Sequence, residues 1–157
     1  KMIVDATVGQ RPHDQDAQRH ARELREMNLA KVKSFDRRIT DVNFVHESLL
    51  LVRVKGQGMP VLTKLVSRPE LAGVKIIAAV SEDVDIRDRE SYLWGIFTRF
   101  DCERDVTFTE QYLMGVSPIY KGVMGIDATW KRGYPKPLTM TDDVRRRVDE
   151  RWDTYWK

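Results

Sequence analysis

The sequence has little of several features that would mark a particular class of protein. Its 157 residues include a single cysteine, Cys102, which excludes an internal disulfide and provides no cysteine pair for a metal. No apolar run approaches the roughly 18 residues that a membrane-spanning helix needs. No signal-peptide pattern is visible. We therefore expect a cytoplasmic protein in a reducing compartment, without a membrane partner.

Charge of one sign is not in large excess either. The chain carries 27 Lys and Arg residues against 24 Asp and Glu residues, which gives a formal net charge of +3. The basic residues form no stripe with interleaved aromatic residues, so we expect no nucleic-acid partner. The apolar fraction of 41% is enough to build the core of one domain.

The motifs of several enzyme classes are also missing. The sequence contains no Walker motif, no Gly-x-Gly-x-x-Gly and no Gly-x-Ser-x-Gly. Its three histidines lack the spacing of a zinc-binding pair. The acidic neighbours of Cys102 disfavour its thiolate, so a cysteine nucleophile is not indicated. The residues alone therefore predict no catalytic, cofactor-binding or metal-binding site.

One short segment is rich in carboxylates. Glu82, Asp83 and Asp85 follow an apolar run and could bind a hard cation such as Mg²⁺ or Ca²⁺. Arg87 and Arg89 lie close enough in sequence to neutralise them, and a calcium loop would need a longer ligand pattern with a glycine. We prefer the interpretation of an ion-paired corner between a strand and a helix.

The spacing of apolar residues predicts alternating strands and helices. Strands are predicted at 1–7, 41–55, 75–80, 106–109 and 123–126. Helices are predicted at 14–32, 61–66, 88–98 and from 141 onward. The helix over 88–98 has little polar surface, so we expect it to be buried. The pattern predicts an α/β (α+β) fold, in which helices flank a mixed sheet.

The C-terminal segment is rich in aromatic residues. Three of the four tryptophans lie at or after residue 130. On the final helix, apolar residues recur at helical spacing and continue into Trp152, Tyr155 and Trp156. Tryptophan anchors interfaces as well as cores. We predict that these three residues form an interface, with packing in the core of this chain as the alternative.

Four motifs occur in a fixed order along the second half of the chain. They are IAAVSEDVDIRD at 77–88, WGIFTRFDCERD at 94–105, Ser117-Pro118 and MGIDAT at 124–129. Their order and spacing resemble the C-terminal domain of the UbiD family of decarboxylases, and the resemblance covers about residues 39–157. Cys102 replaces the family's usual Pro and Ser81 its usual first Asp; neither change threatens the fold.

The resemblance implies a division of labour between two chains. In the family, the catalytic Arg and Glu residues, the metal ligands and the prenylated FMN site belong to earlier domains. The resemblance therefore implies that this chain alone binds no cofactor. Prenylated FMN, with a divalent metal and K⁺, is expected on a larger UbiD-like subunit.

The implied function is that of a non-catalytic small subunit. It would belong to a heteromeric UbiD-like decarboxylase or carboxylase that acts on an aromatic or phenolic acid. Two alternatives stay open: a purely structural assembly subunit, and an independent protein-binding module.

The resemblance also implies which residues approach the substrate. In the family, the stretch before the Asp-Ala-Thr strand, here 106–120, lies near substrate and flavin. Its apolar residues Phe108, Tyr112, Leu113 and Met114 would form one wall of a pocket. The alternative is that these four residues fill the core of this domain.

A tripeptide is repeated near the two ends of the chain. Asp5-Ala6-Thr7 and Asp127-Ala128-Thr129 each follow a short apolar run. We interpret 1–38 as a strand-helix extension, which is a duplicated or exchanged tail, and 39–157 as the UbiD-like domain. Such a tail could add a strand to a partner's sheet. A chance repeat is the alternative.

Overall fold

The computed structural model describes residues 28–134 and 140–156. The helices are α1 Leu29–Ser34, α2 Met59–Leu65, α3 Arg89–Thr98 and α4 Asp142–Arg151, with 3₁₀ turns at Pro69–Leu71 and Trp152–Thr154. The strands are β1 Ile39–Val45, β2 Leu49–Val54, β3 Ile76–Val80, β4 Val106–Met114 and β5 Ser117–Ala128. The predicted strand at 1–7 and most of the predicted helix at 14–32 lie outside these residues.

The five strands form one mixed sheet in the order β1-β2-β3-β5-β4. Strands β2, β3 and β5 run parallel, while β1 and β4 pair antiparallel with β2 and β5 at the two edges. Helices flank this sheet, so the predicted fold class is confirmed.

Apolar side chains cover both faces of the central strands. On one face, α2 packs Leu62 and Leu65 against Leu50 and Ile77 of the sheet. On the other face, α3 packs residues such as Ile96 against the opposite side chains of β2 and β3. Strands buried on both faces read as continuous apolar runs, which is why 49–52 and 76–80 were recognisable in the sequence.

The predicted single strand at 41–55 is wrong in one respect: it is a hairpin. The chain turns at 46–48, and the Ser48 N–H donates to the Val45 carbonyl at 3.2 Å. His46 and Glu47 have φ values of 50° and 54°, a left-handed conformation that usually selects Gly or Asn. Neither His nor Glu is typical of such a turn, so the sequence pattern did not indicate that the strand is interrupted here.

Helix α3 follows the prediction at its ends and departs from it in burial. The Asp88 carboxylate accepts a hydrogen bond from the Ser91 N–H at 2.8 Å and caps the helix. Tyr92 and Ile96 are buried, but Trp94 is 50% exposed and Phe97 68% exposed. The expectation of a fully buried helix is wrong because these two aromatic rings lie on the solvent side.

The predicted strands at 106–109 and 123–126 are the inner ends of a much longer hairpin. Strands β4 and β5 extend to a tip at Gly115 and Val116. Near the middle of the hairpin the register shifts, so that Gly122 and Val123 together oppose Thr109. This bulge requires glycine, since Gly122 has φ +81° and an added Cβ would lie 2.6 Å from the Thr109 Cβ.

Candidate functional site

The four predicted pocket-wall residues all lie on β4. Phe108 is half-buried, while Tyr112, Leu113 and Met114 are 45%, 72% and 65% exposed. These residues therefore do not fill the core of this domain, which removes the alternative interpretation. Phe108, Tyr112 and Met114 share one face of the strand and Leu113 lies on the other, in a hairpin that extends beyond the packed sheet.

Side chains of the two strands order this hairpin. The Phe108 and Tyr120 rings are 4.7 Å apart between centroids, and the Lys121 Nζ lies 5.4 Å from the centre of the Tyr112 ring. Thr109 ties the hairpin to the domain, since its hydroxyl donates to the Val66 carbonyl at 2.6 Å. The hairpin thus presents aromatic and aliphatic side chains on an anchored strand pair.

The Asp127-Ala128-Thr129 segment has a structural role. The buried Asp127 carboxylate accepts hydrogen bonds from the Met59 N–H at 2.8 Å and from the Thr129 hydroxyl at 2.6 Å. The Thr129 Oγ1 in turn accepts from the Gly58 N–H at 3.2 Å. A Cβ on Gly58 would lie 2.5 Å from the Asp127 Oδ1. The tripeptide therefore holds the start of α2 against the end of β5.

Sequence reasoning did not identify the network that continues from this corner. The Lys131 Nζ lies 3.5 Å from carboxylate oxygens of both Asp127 and Asp105 and donates to the Asp127 carbonyl at 2.6 Å. The Tyr134 hydroxyl donates to Asp105 at 2.8 Å, and burial together with this carboxylate raises the pKa of Tyr134. The available signal was the spacing of Lys131, four residues after Asp127.

The acidic segment after β3 is an ion-paired corner, but with a different partner from the one predicted. The Arg99 guanidinium, 4% exposed, donates to both Asp83 oxygens at 2.9 and 2.7 Å. This hydrogen-bonded pair lowers the pKa of Asp83. Arg87 instead binds Asp41 on β1 at 2.5 Å. Sequence proximity misled the prediction because the chain folds Arg99 back onto Asp83.

A depression of about 450 Å³ lies between the end of α1 and the start of β1, beside Lys64 of α2. Its lining residues are Ser34, Phe35, Asp36, Arg37, Arg38 and Lys64. The buried Asp36 carboxylate accepts from Arg38 at 2.7 and 2.8 Å and from Lys64 at 2.8 Å. These hydrogen bonds, first from Arg38 and then from Lys64, hold the pKa of Asp36 far below its usual range.

The predicted interface residues are exposed. Trp152, Tyr155 and Trp156 are 54%, 56% and 76% exposed, and no residue of α4 is buried. The Trp152 and Trp156 rings contact each other edge to face at 5.9 Å. Packing of these rings in the core of this chain is therefore excluded, whereas their role in an interface stays a prediction.

Within residues 28–134 and 140–156, no group of three or more His, Cys, Asp or Glu side chains is arranged to hold a metal ion. In the same part of the chain, no helix has the length and apolar character to cross a bilayer.

One family model matches well over half of the chain. A family model described as the 3-octaprenyl-4-hydroxybenzoate carboxy-lyase C-terminal domain, UbiD_C, matches residues 20–128. The match begins within the 1–38 segment and ends at the last residue of β5.

Solved structures show the same fold. Vanillic acid decarboxylase of Sedimentibacter hydroxybenzoicus, designated VdcCD, matches 82% of this chain in its closed form, with 21% identity and a TM-score of 0.57. Its open form with truncated VdcD matches with 23% identity and a TM-score of 0.54. A UbiD-class enzyme of Pelotomaculum thermopropionicum in complex with FMN matches 83% of the chain, with 16% identity and a TM-score of 0.55. The matched regions cover 31–32% of those longer chains, so this chain spans about a third of their length.

Proposed function

Because the chain belongs to the UbiD family through its C-terminal domain, we propose that it is the small subunit of a heteromeric UbiD-like decarboxylase or carboxylase. A larger subunit would carry the flavin domain, and the substrate would be an aromatic or phenolic acid. In this complex the β4–β5 hairpin supplies one wall of the substrate pocket.

The observation that carries this proposal is the position of the hairpin's apolar residues. Leu113 and Met114 are about two-thirds exposed, although Thr109 and the Gly122 bulge hold the hairpin in a defined position. An ordered apolar surface without a cover is typical of a binding site. Apolar walls are also what small-molecule pockets usually present, and an aromatic ring is a suitable occupant.

Among residues 28–134 and 140–156, neither the outer hairpin nor the depression beside α1 fits a flavin phosphate. A flavin phosphate would need several N–H donors or cations directed at one point. The outer hairpin offers apolar side chains instead, and two cations of the 450 Å³ depression are already bound to Asp36. We therefore assign the prenylated flavin, its divalent metal and K⁺ to the larger subunit.

The comparisons support a partner of this kind. The vanillic acid decarboxylase is designated VdcCD, and one of its structures has a truncated VdcD component, so that enzyme is a complex. It acts on an aromatic acid. This chain matches about a third of the longer chain in that structure, and its family match is to a C-terminal domain, which supports a role beside a larger subunit.

Co-purification from the native host tests the assembly. The chain should be recovered with a UbiD-like protein that contains the flavin domain, identified by mass spectrometry, together with prenylated flavin detected by its absorbance. A chain that is recovered without any flavin protein contradicts the proposal.

Kinetics of the recovered complex then distinguish a pocket wall from a purely structural subunit. Leu113→Ala and Met114→Ala should change kcat/KM or the substrate preference while the complex stays intact. Ser117→Ala, on the other strand of the hairpin, is the matched control and should leave the kinetics unchanged. Unchanged kinetics for both β4 variants would support the structural alternative, which the exposed C-terminal aromatic residues also favour.

A further inference from the structure

The depression between α1 and β1 carries more positive than negative charge. Three of its lining residues, Arg37, Arg38 and Lys64, are cations, and Asp36 is the one acidic residue among the lining residues that the structure describes. The lining therefore has a net formal charge of +2. A cleft lined by charges of one sign raises the local concentration of ions of the other sign. The volume of about 450 Å³ is within the range of small-molecule pockets, ~300–1,000 Å³.

Asp36 holds two of these cations in fixed positions. Its side chain is 4% exposed and binds Arg38, just before β1, and Lys64, on α2. An arginine has five N–H groups and a lysine three, so both cations keep donors that the Asp36 carboxylate does not use. The Arg38 and Lys64 side chains are 31% and 58% exposed, so a ligand can reach them. Because they are already held, binding costs little of their conformational freedom.

Arg37 is the third cation of the depression, and it differs from the other two. Within residues 28–134 and 140–156, no hydrogen bond or ion pair holds its guanidinium, and the residue is exposed. A guanidinium without a partner presents a planar fork that binds a carboxylate through two parallel hydrogen bonds. A phosphate would need more donors directed at one point, and two of the three cations are already directed at Asp36. The arrangement therefore favours a carboxylate.

An apolar surface adjoins the cations. Phe35 also lines the depression, where it is half-buried and packs partly against the core. The Arg68 guanidinium lies 4.6 Å from the centre of the Phe35 ring, and this contact helps to hold the ring in place. The exposed part of the ring thus has a defined position beside the cations. A ligand that combines a carboxylate with an apolar body would use both features.

We propose that this depression binds a small organic carboxylate with an apolar body. The carboxylate binds Arg37, Arg38 and Lys64 add positive charge beside it, and the apolar body lies against Phe35. The inference does not rest on the proposed function, since none of the lining residues belongs to the β4–β5 hairpin.

A benzoate titration of the isotope-labelled 157-residue chain, followed by NMR at constant ionic strength, tests this site. The backbone amide signals of 34–38 and of Lys64 should shift and saturate, whereas those of β4 should not. Arg37→Ala should weaken benzoate binding roughly fivefold, because it removes the fork that binds the carboxylate. Arg145→Ala, which removes an exposed arginine of α4, is the matched control and should bind benzoate as the parent chain does.

Three further probes test the class of ligand. Benzyl alcohol has the ring without the charge, and acetate has the charge without the ring, so each should bind more weakly than benzoate. Inorganic phosphate should not bind more tightly than benzoate. Absence of saturable shifts with benzoate, shifts at the hairpin instead of the depression, unchanged affinity in Arg37→Ala, or tighter binding of any of the three probes would each overturn the proposal. Thermal unfolding of both variants shows that the fold is retained.

Discussion

The central strands β2 and β3 and the outer hairpin β4–β5 both carry many apolar residues, yet they differ in what covers them. Leu50, Leu51 and Ile77 are fully buried between two layers of helix. On the outer hairpin, Leu113 and Met114 face solvent, although Thr109 anchors the strand pair to the domain. The central strands use apolar residues to stabilise this chain. Within the described residues, the exposed apolar side chains of the hairpin do not contribute to a core. We therefore assign the hairpin to contacts with other molecules.

The largest expected effect separates these two regions by stability. Leu62→Ala removes a fully buried side chain that packs between α2 and the sheet, and it should lower the free energy of unfolding by about 2–5 kcal/mol. Leu113→Ala removes the same atoms from an exposed site and should change it by less than about 0.5 kcal/mol. Urea denaturation of both variants measures this difference. Equal losses would show that the hairpin is part of the core.

The next effect concerns the polar corner that joins the central region to the end of β5. Asp127→Ala would leave the partly buried Met59 N–H and the buried Thr129 hydroxyl without their acceptor, and Lys131 without one carboxylate. Such a loss costs about 3 kcal/mol. Asp127→Asn keeps an acceptor oxygen and should cost less. Equal stability of Asp127→Ala and the parent chain, measured by thermal unfolding, would contradict the role of the tripeptide.

A third variant tests whether a C-terminal aromatic residue stabilises this chain or an interface with another chain. Trp152 is 54% exposed and α4 before it has no buried residue, so Trp152→Ala should leave the melting temperature of the dissociated chain unchanged. If Trp152 anchors an interface, the variant should weaken assembly by about 2 kcal/mol. Light scattering over a dilution series measures this. Trp94→Ala, at a similarly exposed ring on α3, is the control for nonspecific loss of an aromatic residue.

A smaller effect depends on pH. Hydrogen bonds from Arg38 and Lys64 lower the pKa of the buried Asp36 carboxylate below its ordinary value of 3.8. Because the pKa is lower in the folded chain, this group contributes stability above the ordinary value and loses it as the pH falls further. Asp36→Asn should be less stable than the parent chain at neutral pH, with a gap that narrows in acid. A gap that stays constant with pH would contradict the assignment.

The sequence allowed the central region to be predicted better than the periphery. The apolar runs at 49–52 and 76–80 identified β2 and β3 because buried strands show their burial in composition. The outer part of β4 and β5 shows neither alternation nor a continuous run, since both of its faces are exposed, so the hairpin was predicted too short. The pairing of Asp83 with Arg99 was missed because it depends on how the chain folds back, which sequence spacing does not show.

The smallest expected effect compares the turns of the two hairpins. The outer hairpin turns at Gly115, whose φ of +63° costs little because glycine has no Cβ. The inner hairpin makes its turn with His46 and Glu47 at φ 50° and 54°. Side chains in this conformation cost about 1 kcal/mol each, and the pairing of β1 with the buried strand β2 offsets that cost. Replacing the pair with Asn-Gly, through His46→Asn and Glu47→Gly, should therefore raise the free energy of unfolding by about 1 kcal/mol.

Ser48→Gly is the control for this double variant. It adds the same flexibility next to the turn without relieving a positive φ, so it should lower the free energy of unfolding slightly. If the double variant and this control lose stability alike, the turn is not strained. In that case, the stability of the core would not explain why this turn lacks the residues that usually mark a turn.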